Sequence, residues 1–135
     1  MSNNNHILVI GLGSIGQRHF RNLHELGVAR ISVVSSKRDL NQEFDIYRQY
    51  LNLEEALNSN ETYSAAFVCS PTAMHSSNVR DLLKRGIHNI YLEKPVGHNF
   101  EEANAVGKLI DEYGARVIVG YDLHFDPGIE KLRSL

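Results

Sequence analysis

The sequence predicts an α/β fold, with one doubly wound, mostly parallel six-stranded sheet and helices on both faces. Two observations predict it. Short apolar runs alternate with amphipathic helical patterns along the chain, which is typical of a sheet covered by helices on both sides. The first unit is a strand, a helix and a second strand, and such a crossover requires parallel neighbours.

The individual elements follow from the spacing of apolar residues and from the residues that typically start and end helices and strands. The expected strands are 6–10, 31–34, 64–69, 89–92 and 116–121. Residues 39–52 are ambiguous and allow a short helix, a short strand at 48–50, or both. Helices are expected over 14–26 and 53–58, after Thr72, from Asn99 to the glycine at 114, and from Asp126 onward. The expected helix caps are Ser14 with Gln17, Asn52 with Glu55, Thr72, Asn99 with Glu102, and Asp126 followed by Pro127. Phe100, Ala103, Val106, Ile110 and Tyr113 are expected to form the apolar stripe of the long fourth helix.

A glycine-rich turn joins the first strand to the first helix. Gly11 permits the tight turn, Gly13 lets a pyrophosphate approach bare backbone, and Gly16 lets the helix lie close to the strand. The helix N-terminus attracts an anion. The strand-to-helix setting therefore predicts that this turn binds a nucleotide.

The residues after the second strand predict which dinucleotide is bound. This is where such folds contact the adenosine ribose, and NAD is held there by an acidic residue. Here no acidic residue precedes Asp39, whereas the segment 35–38 offers two serine hydroxyls and two cations. These groups suit a 2′-phosphate, so we expect NADP in preference to NAD, with a solvated basic turn as the alternative.

Two further turns are expected beside the glycine turn, at the carboxyl edge of the sheet. The segment Ser70-Pro71-Thr72 follows one buried strand, and Glu93-Lys94-Pro95 follows the next. A lysine at a strand end is costly to desolvate unless an anionic or polar group meets it. Cys69 is interpreted as a small core residue, because no activating base is evident near it.

Composition excludes several classes of function. The chain has 135 residues, a mass of 15.3 kDa and a formal net charge of −2, which gives no bulk attraction to nucleic acid or to an anionic membrane. It contains no apolar stretch long enough to span a bilayer and no secretory signal pattern. A single cysteine excludes a disulfide framework and a cysteine-built zinc site, and we expect no metal site. We therefore expect a cytoplasmic protein.

Four segments together resemble the amino-terminal domain of the Gfo/Idh/MocA family, the relatives of glucose-fructose oxidoreductase and inositol dehydrogenase. The segments are VIGLGSIGQRH at 9–19, CSPTAMH at 69–75, YLEKPVG at 91–97 and VGYDLHFDP at 119–127. The resemblance covers nearly the whole chain. It implies a Rossmann fold and an NAD(P)-dependent oxidoreductase that acts on a hydroxyl or ketone of a sugar, an inositol or a nucleotide sugar.

The resemblance also implies roles for particular residues. The implied cofactor contacts are Gly11, Gly13, Ser14, Ile15 and Gly16 at the pyrophosphate, Ser35, Ser36 and Arg38 at the adenosine ribose, and Ser70, Pro71, Thr72, His75, Glu93 and Lys94 further along the dinucleotide. Lys94 is implied to be catalytic, since it would hydrogen-bond the nicotinamide ribose and the reacting oxygen of the substrate. Tyr121 and Asp122 would face the substrate. Asp122 and His124 stand where relatives commonly have Asn and Arg, so substrate contacts differ in this loop.

Family members carry a second domain that supplies the substrate pocket, usually an Asp–His pair, and the oligomer interface. We expect residues 1–122 to form the dinucleotide-binding domain and residues 123–135 to begin the helix that leads to a substrate domain absent from this chain. The chain alone is expected to bind cofactor without turning over substrate, and homo-oligomers are expected only with the second domain. A non-catalytic dinucleotide-sensing module is the alternative, and the role of Lys94 distinguishes the two; a methyltransferase is disfavoured by the serines at 35 and 36.

Overall fold

The structure, a computed structural model, describes residues 5–37, 40 and 43–134, and at its centre is one sheet of six parallel strands. The strands are β1 (His6–Ile10), β2 (Arg30–Val34), β3 (Arg48–Tyr50), β4 (Ala65–Val68), β5 (Asn89–Leu92) and β6 (Arg116–Val119). Their spatial order is β3-β2-β1-β4-β5-β6, so the chain reverses direction across the sheet between β1 and β4. The doubly wound α/β fold is confirmed, and every pairing of the described strands is parallel.

The described residues form five α-helices, of which the first four lie between strands and the fifth follows the last strand. They are α1 (Ser14–Glu25), α2 (Leu53–Asn58), α3 (His75–Lys84), α4 (Phe100–Tyr113) and α5 (Pro127–Arg133), with short 3₁₀ turns at Thr72–Met74 and Asp122–Phe125. Among the helices of the described residues, none combines the length and the apolar character that crossing a membrane requires.

Two hydrophobic clusters, one on each face, hold the sheet between the helices. In β1, Leu8 and Ile10 point to one face whereas Ile7 and Val9 point to the other, as the two-residue period of a strand requires. The first face is covered by α2, α3 and α4, whose buried apolar residues are Ala56, Val79, Leu82, Leu83 and Val106. The second face is covered by α1 through Phe20 and Leu23. Helices on both faces are thus confirmed.

Several helix ends match the predicted caps. Asn52 accepts a hydrogen bond from the Glu55 amide at 2.9 Å, and Asn99 accepts one from the Glu102 amide at 2.9 Å. Gly114 ends α4 with a left-handed backbone (φ 58°), which a residue without Cβ adopts readily. The bounds of α2 and β5 coincide with those predicted.

Two predicted caps are wrong. Ser14 already has a helical position, because Gly13 is the N-cap of α1 and offers no side chain; Gln17 instead donates to the Leu12 carbonyl at 3.4 Å. Thr72 lies in a 3₁₀ turn, and α3 starts only at His75 without any side-chain cap. Helices α1 and α3 therefore begin with backbone N–H groups that no capping side chain occupies.

Other element boundaries also differ from those expected. Of the alternatives left open for residues 39–52, the short strand at 48–50 is present. In contrast, β4 spans only 65–68, and β6 ends at Val119 because the Tyr121 amide turns back to the Val119 carbonyl. Phe100 does not belong to the buried stripe: it is 78% exposed in the first turn of α4, and the core contacts of that helix come from Val106 onward. Asp39 lies outside the described residues.

A buried histidine lies at the amino end of the sheet, away from the turns described above. His6 is 1% exposed; its Nε2 lies 2.8 Å from Ser32 Oγ, and its Nδ1 lies 3.5 Å from a Glu61 carboxylate oxygen that also accepts from Arg30 at 2.7 Å. Burial, and next the positive charge of Arg30, lower the pKa of His6, whereas Glu61 opposes that shift. His6 therefore resists protonation in the folded state.

This lowered pKa predicts a loss of stability in mild acid. An unfolded histidine titrates near pH 6.5, so below that pH the unfolded chain binds a proton that folded His6 does not, and the free energy of unfolding falls as the pH drops toward the lowered pKa. We expect His6→Gln to reduce the difference in Tm between pH 8 and pH 5.5, measured by circular dichroism. His24→Gln, at an exposed histidine, should leave that difference unchanged. An undiminished difference in the His6 variant would contradict the assignment.

Candidate cofactor site

The turns after β1, β4, β5 and β6 lie side by side at the carboxyl edge of the sheet. Each is fixed by an amide that extends the ladder onto the last residue of a neighbouring strand: Gly11 to Val34 at 3.0 Å, Cys69 to Ile10 at 2.8 Å, Glu93 to Val68 at 3.0 Å and Gly120 to Leu92 at 2.9 Å. In doubly wound sheets this edge, next to the point where strand order reverses, is where ligands bind. The register of the sheet thus brings the predicted site segments together.

The three glycines of the first turn have different surroundings. Gly11 has a φ of +89°, and a Cβ there would lie 2.8 Å from the Cys69 carbonyl oxygen. A Cβ on Gly16 would overlap the Gly11 carbonyl oxygen, so α1 starts close against the turn. Around Gly13, in contrast, no heavy atom lies within 4 Å of where a Cβ would stand. Gly11 and Gly16 are therefore required by the protein itself, whereas the space over Gly13 is open to a ligand.

Helix α1 begins at this open position. Its N-cap is Gly13, and no side chain caps the helix. Uncapped N–H groups together with the helix dipole bind anions such as a pyrophosphate. An open backbone and an uncapped helix end fit the phosphates of a dinucleotide.

A cavity of about 580 Å³ extends from the glycine turn along the sheet edge. It is lined by Ile10, Gly11, Leu12, Gly13, Val34, Ser35, Ser36, Lys37, Leu51, Asn52, Leu53, Cys69, Ser70, Pro71, Met74 and Asn78. Its volume lies in the range usual for small-molecule sites. Leu51, Leu53 and Met74 provide an apolar wall, and sequence reasoning did not assign them to the site.

The turn after β2 forms one end of this cavity. The Lys37 amide donates to Ser35 Oγ at 3.2 Å, and Lys37 Nζ reaches the Leu12 carbonyl at 3.5 Å. Gln49 of β3 holds the turn from below, since its Nε2 donates to the carbonyls of Ser35 at 3.1 Å and Lys37 at 2.5 Å. None of the described residues that line the cavity is acidic. Arg38, expected here, lies outside the described residues.

The turn after β4 forms the opposite wall. Ser70 and Pro71 line the cavity, and Ser70 Oγ accepts from Asn78 Nδ2 at 2.8 Å. His75 is 1% exposed, and its two ring nitrogens lie 2.9 Å from the carbonyl oxygens of Ser70 and Pro95. His75 therefore connects the turn after β4 to the turn after β5 from inside the protein. Thr72 lies in the 3₁₀ turn that precedes α3.

Cys69, at the end of β4, is buried under the glycine turn. Burial, and next the negative charge of Glu93, raise the pKa of its thiol to about 12. The thiol is thus protonated at neutral pH, and a protonated thiol is a poor nucleophile. The surroundings of Cys69 agree with the expected core role.

We therefore predict that Cys69 does not react with iodoacetamide at pH 8 in the folded chain. The same treatment in 6 M guanidinium should alkylate it fully, because the unfolded thiol titrates near pH 8.5. Mass spectrometry after a short exposure measures both states. Rapid alkylation of the folded chain would contradict a protonated, buried thiol.

The turn after β5 carries Glu93 and Lys94. Glu93 is 7% exposed, and its carboxylate lies 2.6 Å from His19 Nε2 and 3.4 Å from the Tyr91 hydroxyl. Burial, and next the charge of Glu93, raise the pKa of Tyr91 to about 12, so this hydroxyl stays protonated and donates to the carboxylate. The Lys94 side chain is exposed, as are Tyr121 and Asp122 after β6. These three residues follow the cavity along the same sheet edge without lining it.

Three supporting residues were not found by sequence reasoning. Gln49, Asn78 and His19 each hold a predicted site segment, and each does so from a different element: β3, α3 and α1. Their partners are remote or lie around a turn, so spacing along the chain does not reveal them. His19 alone carried a signal, since it ends the first of the four family-like segments.

Comparison with known proteins agrees with this geometry. Residues 5–121 match the sequence model of a family described as "Oxidoreductase family, NAD-binding Rossmann fold". The chain is 27% identical over 135 residues to the uncharacterized oxidoreductase YrbE of Bacillus subtilis, covering 94% of this chain and 38% of that protein. It is 26% identical over 131 residues to myo-inositol 2-dehydrogenase of Thermotoga maritima, covering 93% of this chain and 39% of that protein.

Solved structures show the same fold. The crystal structure of myo-inositol 2-dehydrogenase from Lactobacillus plantarum matches with a TM-score of 0.81 and 25% identity, over 91% of this chain and 38% of that one. Scyllo-inositol dehydrogenase from Lactobacillus casei, solved with bound NAD(H) and scyllo-inositol, matches with a TM-score of 0.83 and 20% identity, over 97% of this chain and 40% of that one. The chain thus spans about two fifths of the length of these relatives. The match over residues 5–121 shows that the chain belongs to the Gfo/Idh/MocA family of oxidoreductases, as its NAD(P)-binding Rossmann domain.

Proposed function

We propose that this chain is the cofactor half of an NADP-dependent dehydrogenase that oxidises a CH–OH group of a sugar, an inositol or a nucleotide sugar. Residues 1–122 form the dinucleotide-binding domain, and residues 123–135 begin the connection to a substrate domain. The relatives are longer, with this chain covering 38–39% of two of them, and inositol dehydrogenases are among them. Homo-oligomers would require that second domain.

The observation that carries the choice of NADP is the chemistry at the end of β2. Ser35, Ser36 and Lys37 line the cavity there, and no described lining residue is acidic. Two hydroxyls and an ammonium offer hydrogen bonds and positive charge to a 2′-phosphate, whereas a carboxylate that would bind two ribose hydroxyls is missing from the described lining. The preference therefore rests on hydrogen-bonding groups as much as on charge.

The remaining roles follow the sheet edge. The α1 N-terminus and Gly13 would hold the pyrophosphate, Ser70, Pro71 and Thr72 the middle of the dinucleotide, and Glu93 with Lys94 the nicotinamide ribose. Bound nicotinamide supplies the hydride-transfer chemistry. The exposed Lys94 ammonium would hydrogen-bond the reacting oxygen and assist removal of its proton, while Tyr121 and Asp122 would contact the substrate.

Titration of the chain with NADPH and NADH, followed by nicotinamide fluorescence, tests this proposal. We expect NADPH to bind at least about tenfold more tightly, the equivalent of one charge-assisted contact. Ser36→Asp should reverse the preference, because a carboxylate repels the 2′-phosphate and accepts from ribose hydroxyls. Ser77→Asp, at an exposed serine of α3, is the matched control and should change neither affinity. NADH binding as tightly as NADPH to the unsubstituted chain would contradict the choice of NADP.

A further inference from the structure

One buried contact links the two ends of the proposed cofactor site. His19 of α1 and Glu93 after β5 are 74 positions apart in sequence, yet His19 Nε2 lies 2.6 Å from Glu93 Oε1. The two side chains are only 14% and 9% exposed. A short hydrogen bond to a largely buried carboxylate is among the stronger polar contacts in a protein.

The neighbours of the His19–Glu93 pair connect it to the Lys94 turn. The second carboxylate oxygen of Glu93 accepts from the Lys94 amide at 3.2 Å. The His19 ring packs edge-on against Tyr91, with centroids 4.8 Å apart, and a Cβ on Gly120 would lie 3.1 Å from Glu93 Oε1. The carboxylate therefore lies beside the His19 and Tyr91 side chains and the Gly120 backbone, and both of its oxygens accept hydrogen bonds.

Without His19, the Glu93 carboxylate would lose its closest hydrogen-bond partner. Of its donors in the described part of the chain, Glu93 would keep the Lys94 amide and the more distant Tyr91 hydroxyl, at 3.4 Å. A buried carboxylate that has lost its closest donor is destabilised and turns toward water. Glu93 is followed directly by Lys94, whose side chain is exposed at the carboxyl edge. The Lys94 turn would move with Glu93.

We propose that His19 is a positioning residue for the nicotinamide end of the site. By holding Glu93 it fixes the Glu93–Lys94 turn and ties that turn to α1, the helix whose N-terminus would bind the pyrophosphate. The inference rests on the proposed function and deepens it. His19 acts through Glu93 and does not itself line the cavity.

The affinities for two ligands distinguish a positioning role of His19 at the nicotinamide end from a purely structural role. NADPH reaches both ends of the site, whereas 2′-phospho-ADP-ribose carries the same phosphate groups without nicotinamide. We expect His19→Ala to weaken NADPH binding about tenfold while changing the affinity for 2′-phospho-ADP-ribose less than about twofold. His19→Gln, whose amide reaches Glu93 as a donor, should restore most of the NADPH affinity. His24→Ala, at an exposed histidine on the same helix, should change neither affinity.

Calorimetric titrations of the folded variants measure these affinities, and each outcome decides the inference. Equal weakening of both ligands would overturn it in favour of a general structural role, and unchanged NADPH affinity would overturn it outright. If His19→Ala does not fold, His19→Asn takes its place in the comparison with His19→Gln, because the shorter asparagine side chain does not reach Glu93. Failure of the unsubstituted chain to bind NADPH would instead contradict the proposed function, on which this inference depends.

Discussion

Replacing Gly16 with alanine is expected to destabilise the chain by about 3 kcal/mol, which for a domain of this size lowers Tm by about 10 °C. The added methyl would overlap the Gly11 carbonyl oxygen and would stand 3.5 Å from the Cys69 Cβ. Neither α1 nor the turn has room to move, because Gly11 is itself pressed against the Cys69–Ser70 backbone. Thermal unfolding followed by circular dichroism measures the loss.

Gly13→Ala is the matched control, since it makes the same change three residues earlier in the same turn. Its methyl would meet no protein atom within 4 Å, and its backbone (φ −72°, ψ −170°) suits alanine, so the unfolding free energy should change by less than about 0.5 kcal/mol. Cofactor affinity should nevertheless fall about tenfold, because the methyl fills the space of the pyrophosphate. Equal stability losses in the two variants would contradict the distinction between a packing glycine and a ligand glycine.

Lys94→Met is expected to reduce turnover by about 10² to 10⁴-fold, the usual contribution of a positioned proton-transfer group. Turnover requires a substrate domain, so the assay uses a chimera in which residues 1–122 replace the corresponding domain of Thermotoga maritima myo-inositol 2-dehydrogenase. NADP reduction by the unsubstituted chimera gives the reference kcat. NADPH affinity should change less than tenfold, because the contacts at the pyrophosphate and at the adenosine ribose are untouched.

Lys108→Met provides the control for loss of one exposed positive charge. Lys108 lies in the exposed part of α4, away from the carboxyl edge, and its replacement should leave kcat unchanged. A Lys94→Met chimera that retains near-reference kcat would contradict a catalytic role for Lys94. An unsubstituted chimera that binds NADPH but shows no turnover would instead favour a module that binds dinucleotide without catalysis.

Local rules predicted the elements whose signals are local. Helix α2 and strand β5 have the bounds that periodicity and capping indicate, since Asn52 and Glu55 satisfy one end of α2 within four residues. The same rules failed at Ser14 and Thr72. Gly13 takes the N-cap position beside Ser14, and a 3₁₀ turn separates Thr72 from the start of α3, so neither hydroxyl residue stands at the cap of an α-helix.

The architecture of the candidate site was predictable only in part. The glycine turn and the Ser35–Ser36 turn carry sequence signals because their residue types suit phosphates and hydroxyls. The pairs that hold these turns, such as Gln49 with the Ser35 carbonyl, join elements that only the tertiary fold brings together. The contact of His19 with Glu93 is of the same kind, and no spacing rule connects a helix residue to a strand end across 74 positions.

Because β1 lies at the centre of the sheet, the cavity forms only when β1 is paired on both sides. β1 pairs with β2 on one side and with β4 on the other, and its Ile7 is in register with Ala65. The cavity has one wall on the β2 side of β1 and one on the β4 side. Before β4 has been synthesised and paired, the glycine turn therefore has no complete pocket around it. Closing so long a loop costs conformational entropy before any contact repays it, and parallel pairing of this kind is slow. The proposed cofactor site therefore cannot form before β4 has paired with β1, and a peptide that ends before residue 65 lacks one wall of the cavity.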